Sequence, residues 1–168
     1  MRETQVSISQ WATDTFGPAS SNARVCARAN EEMAELLRAL TSDQPEKAVE
    51  EAADVVIVLY RLAERLGRAL TWDRDFSYCT GWKPLQSACQ ANNCLAEALQ
   101  LLAAGSGMGA MDGIEEAVYF LATLLQRLGS DLETEIDRKM ITNRARAWKV
   151  TDDGHGYHVR PEKQEAAV

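Results

Sequence analysis

The sequence predicts an all-α protein, a four-helix-type bundle with flanking helices, and three observations predict it. Apolar residues recur every three to four positions in stretch after stretch, which is the spacing of one helix face. No segment carries a convincing two-residue alternation of the kind a half-buried strand needs. The helical pattern also repeats itself: residues 29–70 align without gaps on 91–132 at a constant offset (91 − 29 = 62).

The elements come in order along the chain. Residues 5–16, with Trp11 and Phe16, read as a short helix or a loop. Gly17-Pro-Ala-Ser-Ser is a break, and Ser20 or Ser21 is placed to cap the next helix. Residues 22–41 read as that helix, with Val25, Ala29, Met33, Leu36, Leu37 and Leu40 on one side. Thr41-Ser-Asp-Gln is a turn, and Pro45 is placed to start another helix, over 46–69. Residues 71–83 are irregular and aromatic, with Trp72, Phe76, Tyr78 and Trp82. Further helices are expected over about 85–103, 112–128 and 130–148, with Gly105-Ser-Gly-Met-Gly as a flexible turn. The Gly-rich, then charged tail from Thr151 is expected to fray at its end, and its His155-Gly-Tyr-His158 reads either as a loop or as a flap over a site.

In the repeat, Ala29-Asn30 recurs as Ala91-Asn92 and Ala34-Glu35 as Ala96-Glu97. Leu62, Arg65, Leu66, Gly67 and Leu70 recur as Leu124, Arg127, Leu128, Gly129 and Leu132. Two readings stand: a duplicated helical hairpin, or chance agreement between two Leu/Ala-rich hairpins. A duplication makes residues 1–168 one domain: a first hairpin over about 22–70, a second over about 85–130, and a closing helix and tail over 131–168. Without it, a second hairpin would come from a homodimer or higher homo-oligomer.

Composition excludes several classes. With 46% hydrophobic and 26% charged residues the chain is globular and not disordered. The net charge of −7 argues against nucleic-acid binding, which needs a basic footprint. No apolar run reaches membrane-spanning length and the start lacks a signal-peptide core, so a cytoplasmic protein with no membrane partner is expected. Cys26, Cys79, Cys89 and Cys94 form no C-x-x-C pair and are expected to be reduced thiols rather than a zinc site.

The chemistry concentrates in four carboxylates: Glu32-x-x-Glu35 and Glu51-x-x-Asp54, one pair on each helix of the first hairpin. Residues three apart on a helix share a face. Two such pairs on facing helices converge four oxygen donors, the shell that hard cations such as Mg²⁺ take. The alternative for either pair alone is a solvated helix face. At the offset of 62 these positions hold Cys94, Glu97, Gly113 and Glu116, so the second hairpin lacks two of the four and one site per chain is expected. Lys139, Asn143 and Arg146 fall at i, i+4 and i+7, one helical face, suited either to phosphate or to a helix C-terminal dipole. Arg28 lies one turn before Glu32, to meet either a phosphate or that carboxylate; Arg144 is expected to be solvated.

The pattern Glu31-Glu32-Met-Ala-Glu35, then Glu51-Ala-Ala-Asp54 and an apolar run, resembles the all-α nucleoside triphosphate pyrophosphohydrolases: MazG, the dimeric dUTPases and their relatives. Trp11-Ala-Thr-Asp-Thr-Phe16-Gly resembles the W-x-x-x-T-F-G segment of MazG-like proteins described as dATP/dGTP diphosphohydrolases. Lys139-Met-Ile-Thr-Asn143-Arg-Ala-Arg146-Ala-Trp148 resembles their closing K-x-x-x-N-R-x-R-x-W segment. The likeness covers about 8–70 and 136–158; the stretch between departs from the shorter relatives.

The resemblance implies a Mg²⁺-dependent hydrolase, with Mn²⁺ able to substitute, that converts a deoxynucleoside triphosphate to monophosphate and pyrophosphate. It favours dATP or dGTP, with dUTP, dCTP or phosphoribosyl-ATP as alternatives within the fold. A catalytically inactive interaction module is the alternative outside it. Glu32, Glu35, Glu51 and Asp54 would be the metal ligands. Glu31 and Glu35 would serve catalysis, Glu31 either by supporting the ligands from behind or by orienting water. Lys139, Asn143, Arg146 and Arg28 would hold phosphate, and Trp11 and Phe16 would either stack on the base or pack the core.

Overall fold

The computed structural model describes residues 2–71 and 81–158. Among them are six helices: α1 (Gln5–Phe16), α2 (Asn22–Thr41), α3 (Pro45–Arg65), α4 (Pro84–Ala103), α5 (Gly107–Arg127) and α6 (Leu132–Ala145). Two short strands, β1 (Trp148–Val150) and β2 (Gly156–His158), come after them. The protein is all-α with helices packed as a bundle. Trp72, Phe76, Tyr78 and Cys79 of the aromatic connector lie outside the described residues. No helix of the described residues is long and apolar enough to cross a membrane.

Local chemistry sets the helix ends. The Thr4 side chain accepts from the Ser7 amide, and the Ser7 side chain accepts from Thr4 in return, so 5–16 starts as a capped helix. Ser21 caps α2 by accepting from the Arg24 amide, and Asp131 caps α6 by accepting from the Thr134 amide. Pro45 and Pro84 occupy the first turns of α3 and α4, where a missing N–H costs nothing.

The helix bounds repeat at the offset found in the sequence. α2 begins at Asn22 and α4 at Pro84; α3 begins at Pro45 and α5 at Gly107; each pair has equal length. The helix ends repeat too. The Gly67 amide donates to Glu64 O at 3.0 Å and the Arg68 amide to Ala63 O at 3.0 Å. The Gly129 amide donates to Gln126 O at 3.1 Å and the Ser130 amide to Leu125 O at 2.9 Å. Both are the paired bonds of a Schellman cap, and both glycines sit at positive φ, +68° and +76°.

α3 is the central element and meets α1, α2, α5 and α6. Val25, Ala29, Met33 and Leu36 of α2 pack fully buried with Val55, Val56, Leu59 and Leu62 of α3. α5 is buried on every side from Ala117 to Leu125, as a helix with no polar face must be. Trp82 stacks on Phe120, with ring centroids 5.4 Å apart.

Four expectations need correction. α3 stops at Arg65 and not at residue 69, because Gly67 adopts the left-handed turn. α5 starts at Gly107 and not near 112: the glycine-rich stretch is taken into the helix by its packing, and Gly107 already lies against the Leu66 side chain. α6 ends at Ala145, and the chain from Trp148 forms an antiparallel hairpin pairing Trp148 with His158 and Val150 with Gly156. Three-residue strands are too short to show an alternation in sequence. Arg144 is not simply solvated: its Nε and Nη2 donate to the two Glu3 carboxylate oxygens, each at 2.9 Å, tying α6 to the chain start.

Candidate active site

The carboxylates come together on the facing sides of α2 and α3. Oxygen atoms of Glu32, Glu35 and Glu51 all lie within 4.8 Å of one another. Glu32 and Glu51 are buried, whereas Glu35 is exposed at the edge. The i, i+3 spacing puts Glu32 and Glu35 on one face of α2, and the α2–α3 packing brings Glu51 against them. Asp54 is outside this trio, yet its charge reaches Glu32. Burial pushes the Glu32 carboxyl up to about 7; Arg28 opposes the shift, and Asp54, Glu51 and Glu35 add to it.

Each buried acid has a cation beside it. Arg28 pairs with Glu32, and its Nη1 also lies 2.8 Å from Glu31 Oε2. Lys47, one turn before Glu51, pairs with Glu51. Lys139 Nζ of α6 lies 2.6 Å from Asp54 Oδ2. Asn143 also bonds the Asp54 carboxylate, and Arg146 Nη1 donates to Asn143 Oδ1 at 3.1 Å. Burial still holds Asp54 above the usual carboxylate range, against those partners. Lys139 and Asn143 reach Asp54 from one face of α6, whereas Arg146, expected on that face, lies past the helix end in extended backbone and reaches Asn143 instead. Glu31 is exposed and clamped between Arg24 and Arg28, away from the trio.

A pocket of about 70 Å³ adjoins the cluster, and Arg28, Glu32 and Asp54 form part of its wall. Trp11 and Phe16 line it, with Trp148 from β1 completing an edge-to-face trio at centroid distances of 5.1 to 6.0 Å. The turn between β1 and β2 supplies His155, and β2 supplies Gly156. That turn is anchored: the Ser20 amide donates to Asp153 O at 3.1 Å, Arg24 Nε donates to Asp153 Oδ2 at 2.7 Å, and Arg61 Nη1 donates to Gly154 O at 2.9 Å. Hydrogen bonds from Thr151 and Arg24 hold the Asp153 carboxyl well below its ordinary range. Arg61 Nη2 also donates to Gly17 O at 2.7 Å, joining both turns behind the pocket.

Sequence reasoning missed Lys47, Arg61 and Trp148 as site residues. The signals were present: Lys47 stands four before Glu51, Arg61 interrupts an apolar run, and Trp148 closes the last motif. His155 takes the second of its two readings and folds over the pocket.

The second hairpin shows why the equivalent place is closed. A Cβ on Gly113, the counterpart of Glu51, would lie 3.2 Å from the Cys94 backbone oxygen. Cys94, the counterpart of Glu32, has its thiol pushed up to about 11 by burial and by Glu116 and Glu97. α4 and α5 approach too closely there for a buried carboxylate pair. The donor set on the first hairpin is oxygen only, part buried and crowded with like charge, which fits Mg²⁺ or Mn²⁺ better than a thiol-seeking metal. Comparison of the chain with protein-family models, with curated proteins and with solved structures gives no match.

Proposed function

We propose that the chain is a Mg²⁺-dependent nucleoside triphosphate pyrophosphohydrolase, acting on a deoxynucleoside triphosphate to give the monophosphate and pyrophosphate. The observation that carries this reading is the convergence of Glu32, Glu35 and Glu51 beside an aromatic-walled pocket that shares Glu32 with them. A cation bound by these residues would neutralise charge on the triphosphate and lower the pKa of an attacking water. Glu32 and Glu51 would hold it from buried positions and Glu35 from the solvent edge. Glu35 has no ion-pair partner among the described residues, so it is the acid best placed to accept a proton from water.

Arg28, Lys47 and Lys139 are the cations beside these acids, and they supply positive charge to the phosphates, Arg28 as a two-pronged donor. Glu31 steadies Arg28 rather than touching water. Asp54 is held by Lys139 and Asn143 and keeps the fourth carboxylate near the cluster. Trp11, Phe16 and Trp148 offer ring faces to the base.

The deciding experiment is pyrophosphate release from the four common deoxynucleoside triphosphates and dUTP, with Mg²⁺, with Mn²⁺ and with chelator. Metal-dependent release from at least one is expected. No release from any of them in either metal removes the reading. Glu97→Gln and Glu116→Gln, on the closed hairpin, are expected to keep activity within about twofold, since substitutions away from a working site usually change little. A loss as large as that of a first-hairpin carboxylate would mean that α4 and α5 take part.

A further inference from the structure

His155 is 7% exposed, and its Nε2 is buried with no hydrogen-bond partner in a ring that lines the pocket. Buried polar atoms in folded proteins nearly always have partners, so an orphan in a ring beside a cavity needs an explanation. Its other nitrogen settles which role Nε2 plays. Nδ1 lies 3.3 Å from Asp153 O and 3.6 Å from Asp153 Oδ1, and both are acceptors. Nδ1 therefore carries the ring hydrogen, and Nε2 presents a lone pair. Burial, with the positive charges of Arg24 and Arg61 nearby, lowers the His155 pKa and favours that neutral ring. Arg61 turns two of its N–H groups to Gly154 O and Gly17 O, and none of its others bonds Nε2.

The rest of the lining limits the shape of a group that can meet this lone pair. Trp11, Phe16 and Trp148 present flat apolar surface, and Val25, Ile57 and Val58 add no hydrogen-bonding side chain. A partner for Nε2 must therefore carry a donor on an otherwise flat, apolar-faced body. The space of about 70 Å³ is room for about two waters, so such a body enters edge first and moves the aromatic trio aside as it seats. Glu32 and Asp54 also line the pocket, which puts the polar end of the ligand at the carboxylate cluster.

We propose that the pocket binds a planar nitrogen heterocycle whose ring or exocyclic N–H donates to His155 Nε2, and that His155 is the residue selecting for that N–H. The identification of the heterocycle as a nucleobase rests on the nucleotide hydrolase reading; the donor requirement does not. Selection by such a contact is strong because a base without the N–H leaves the buried lone pair unpaired again.

The test is equilibrium binding to the full chain, monitored by quenching of tryptophan fluorescence, with Mg²⁺ and again with chelator; the probes are monophosphates, which the proposed reaction does not consume. The probes are two pairs in which one member lacks a base N–H donor: dAMP against purine deoxyriboside 5′-monophosphate, which lacks the amino group, and dTMP against its N3-methyl derivative. Wild type is expected to bind the N–H-bearing member of at least one pair about 10-fold more tightly, a usual size for one hydrogen bond. His155→Phe, of similar shape, should bring that ratio near one while still binding the ring. His155→Gln, which keeps an acceptor, should restore part of it, and melting curves of both variants check that they fold.

An unchanged ratio in His155→Phe, a ratio of one in wild type, or no saturable quenching by any probe overturns the proposal. The two readings fail separately. Pyrophosphate release with no His155-dependent ratio would leave the enzyme and remove the donor contact. A His155-dependent ratio with no pyrophosphate release would leave the pocket and remove the hydrolase.

Discussion

Glu51→Gln is expected to lower pyrophosphate release at least about 100-fold while leaving the melting temperature in chelator within a few degrees of wild type. Even a group one step removed from a metal commonly costs about 10–100-fold when lost, so a direct ligand should cost no less. The fold should tolerate the change because Gln has the same volume and the position is not an apolar core site. Glu51 is 2% exposed, beside Glu32 and Glu35. Removing its charge separates Lys47 from its partner but also relieves repulsion in the trio. The same variant gives a second readout that needs no substrate. A ligand present at about 100 times its dissociation constant stabilises a protein by about 2.7 kcal/mol. For a chain of this length that raises the melting temperature by about 5–10 °C. Wild type should show that rise with Mn²⁺ or Mg²⁺, and Glu51→Gln should not. Near wild-type activity in the variant, or an equal thermal shift, would exclude Glu51 as a ligand.

The features the sequence revealed and those it hid divide along the length scale of the contacts. The carboxylate trio was legible because it needs only two local i, i+3 patterns and one adjacent pair of helices. The constant offset of 62 was equally readable, and it already places the start of α5 at Gly107, opposite Pro45. Glycine content pointed the other way, since Gly105 to Gly109 has the composition of a turn, yet only Gly105 of that stretch is at positive φ. The cation beside Asp54 was hidden for a different reason. Lys139 arrives from α6, far along the chain, and no local pattern shows that this lysine meets a carboxylate before it meets a phosphate. The pocket was hidden for the same cause. Its walls come from α1, α2, α3, α6 and the β1–β2 hairpin, and Arg61 joins Gly17 to Gly154 across most of the sequence.

Gly154→Ala should detach the hairpin from the α1–α2 turn and take His155 out of the pocket. Gly154 sits at φ +76°, and an added Cβ would lie 2.3 Å from Pro18 O, 2.7 Å from Pro18 C and 2.8 Å from the Ala19 Cα. All three atoms are backbone, so no side-chain rotation relieves the clash. Left-handed strain and overpacking each cost about 1–3 kcal/mol, giving about 2–4 kcal/mol together if the turn stays docked. The interactions that hold it there are few: the Ser20 amide to Asp153 O, Arg24 to Asp153 and Arg61 to Gly154 O. Undocking gives up these bonds but frees the chain and returns their groups to water, so the two responses are close in cost and the turn is docked less of the time. The expected result is weakened nucleotide binding and altered tryptophan fluorescence, since Trp148 belongs to the same hairpin. If the turn is instead forced to stay, the melting temperature should fall by about 5–15 °C. Gly129→Ala is the matched control. Gly129 also has φ +76°, but nothing lies within 4 Å of an added Cβ, so it carries the conformational cost alone, about 1 kcal/mol, with the pocket untouched. Equal effects of the two substitutions on nucleotide binding would mean that the hairpin does not close against Pro18 and Ala19, and the pocket that depends on that closure would go with it.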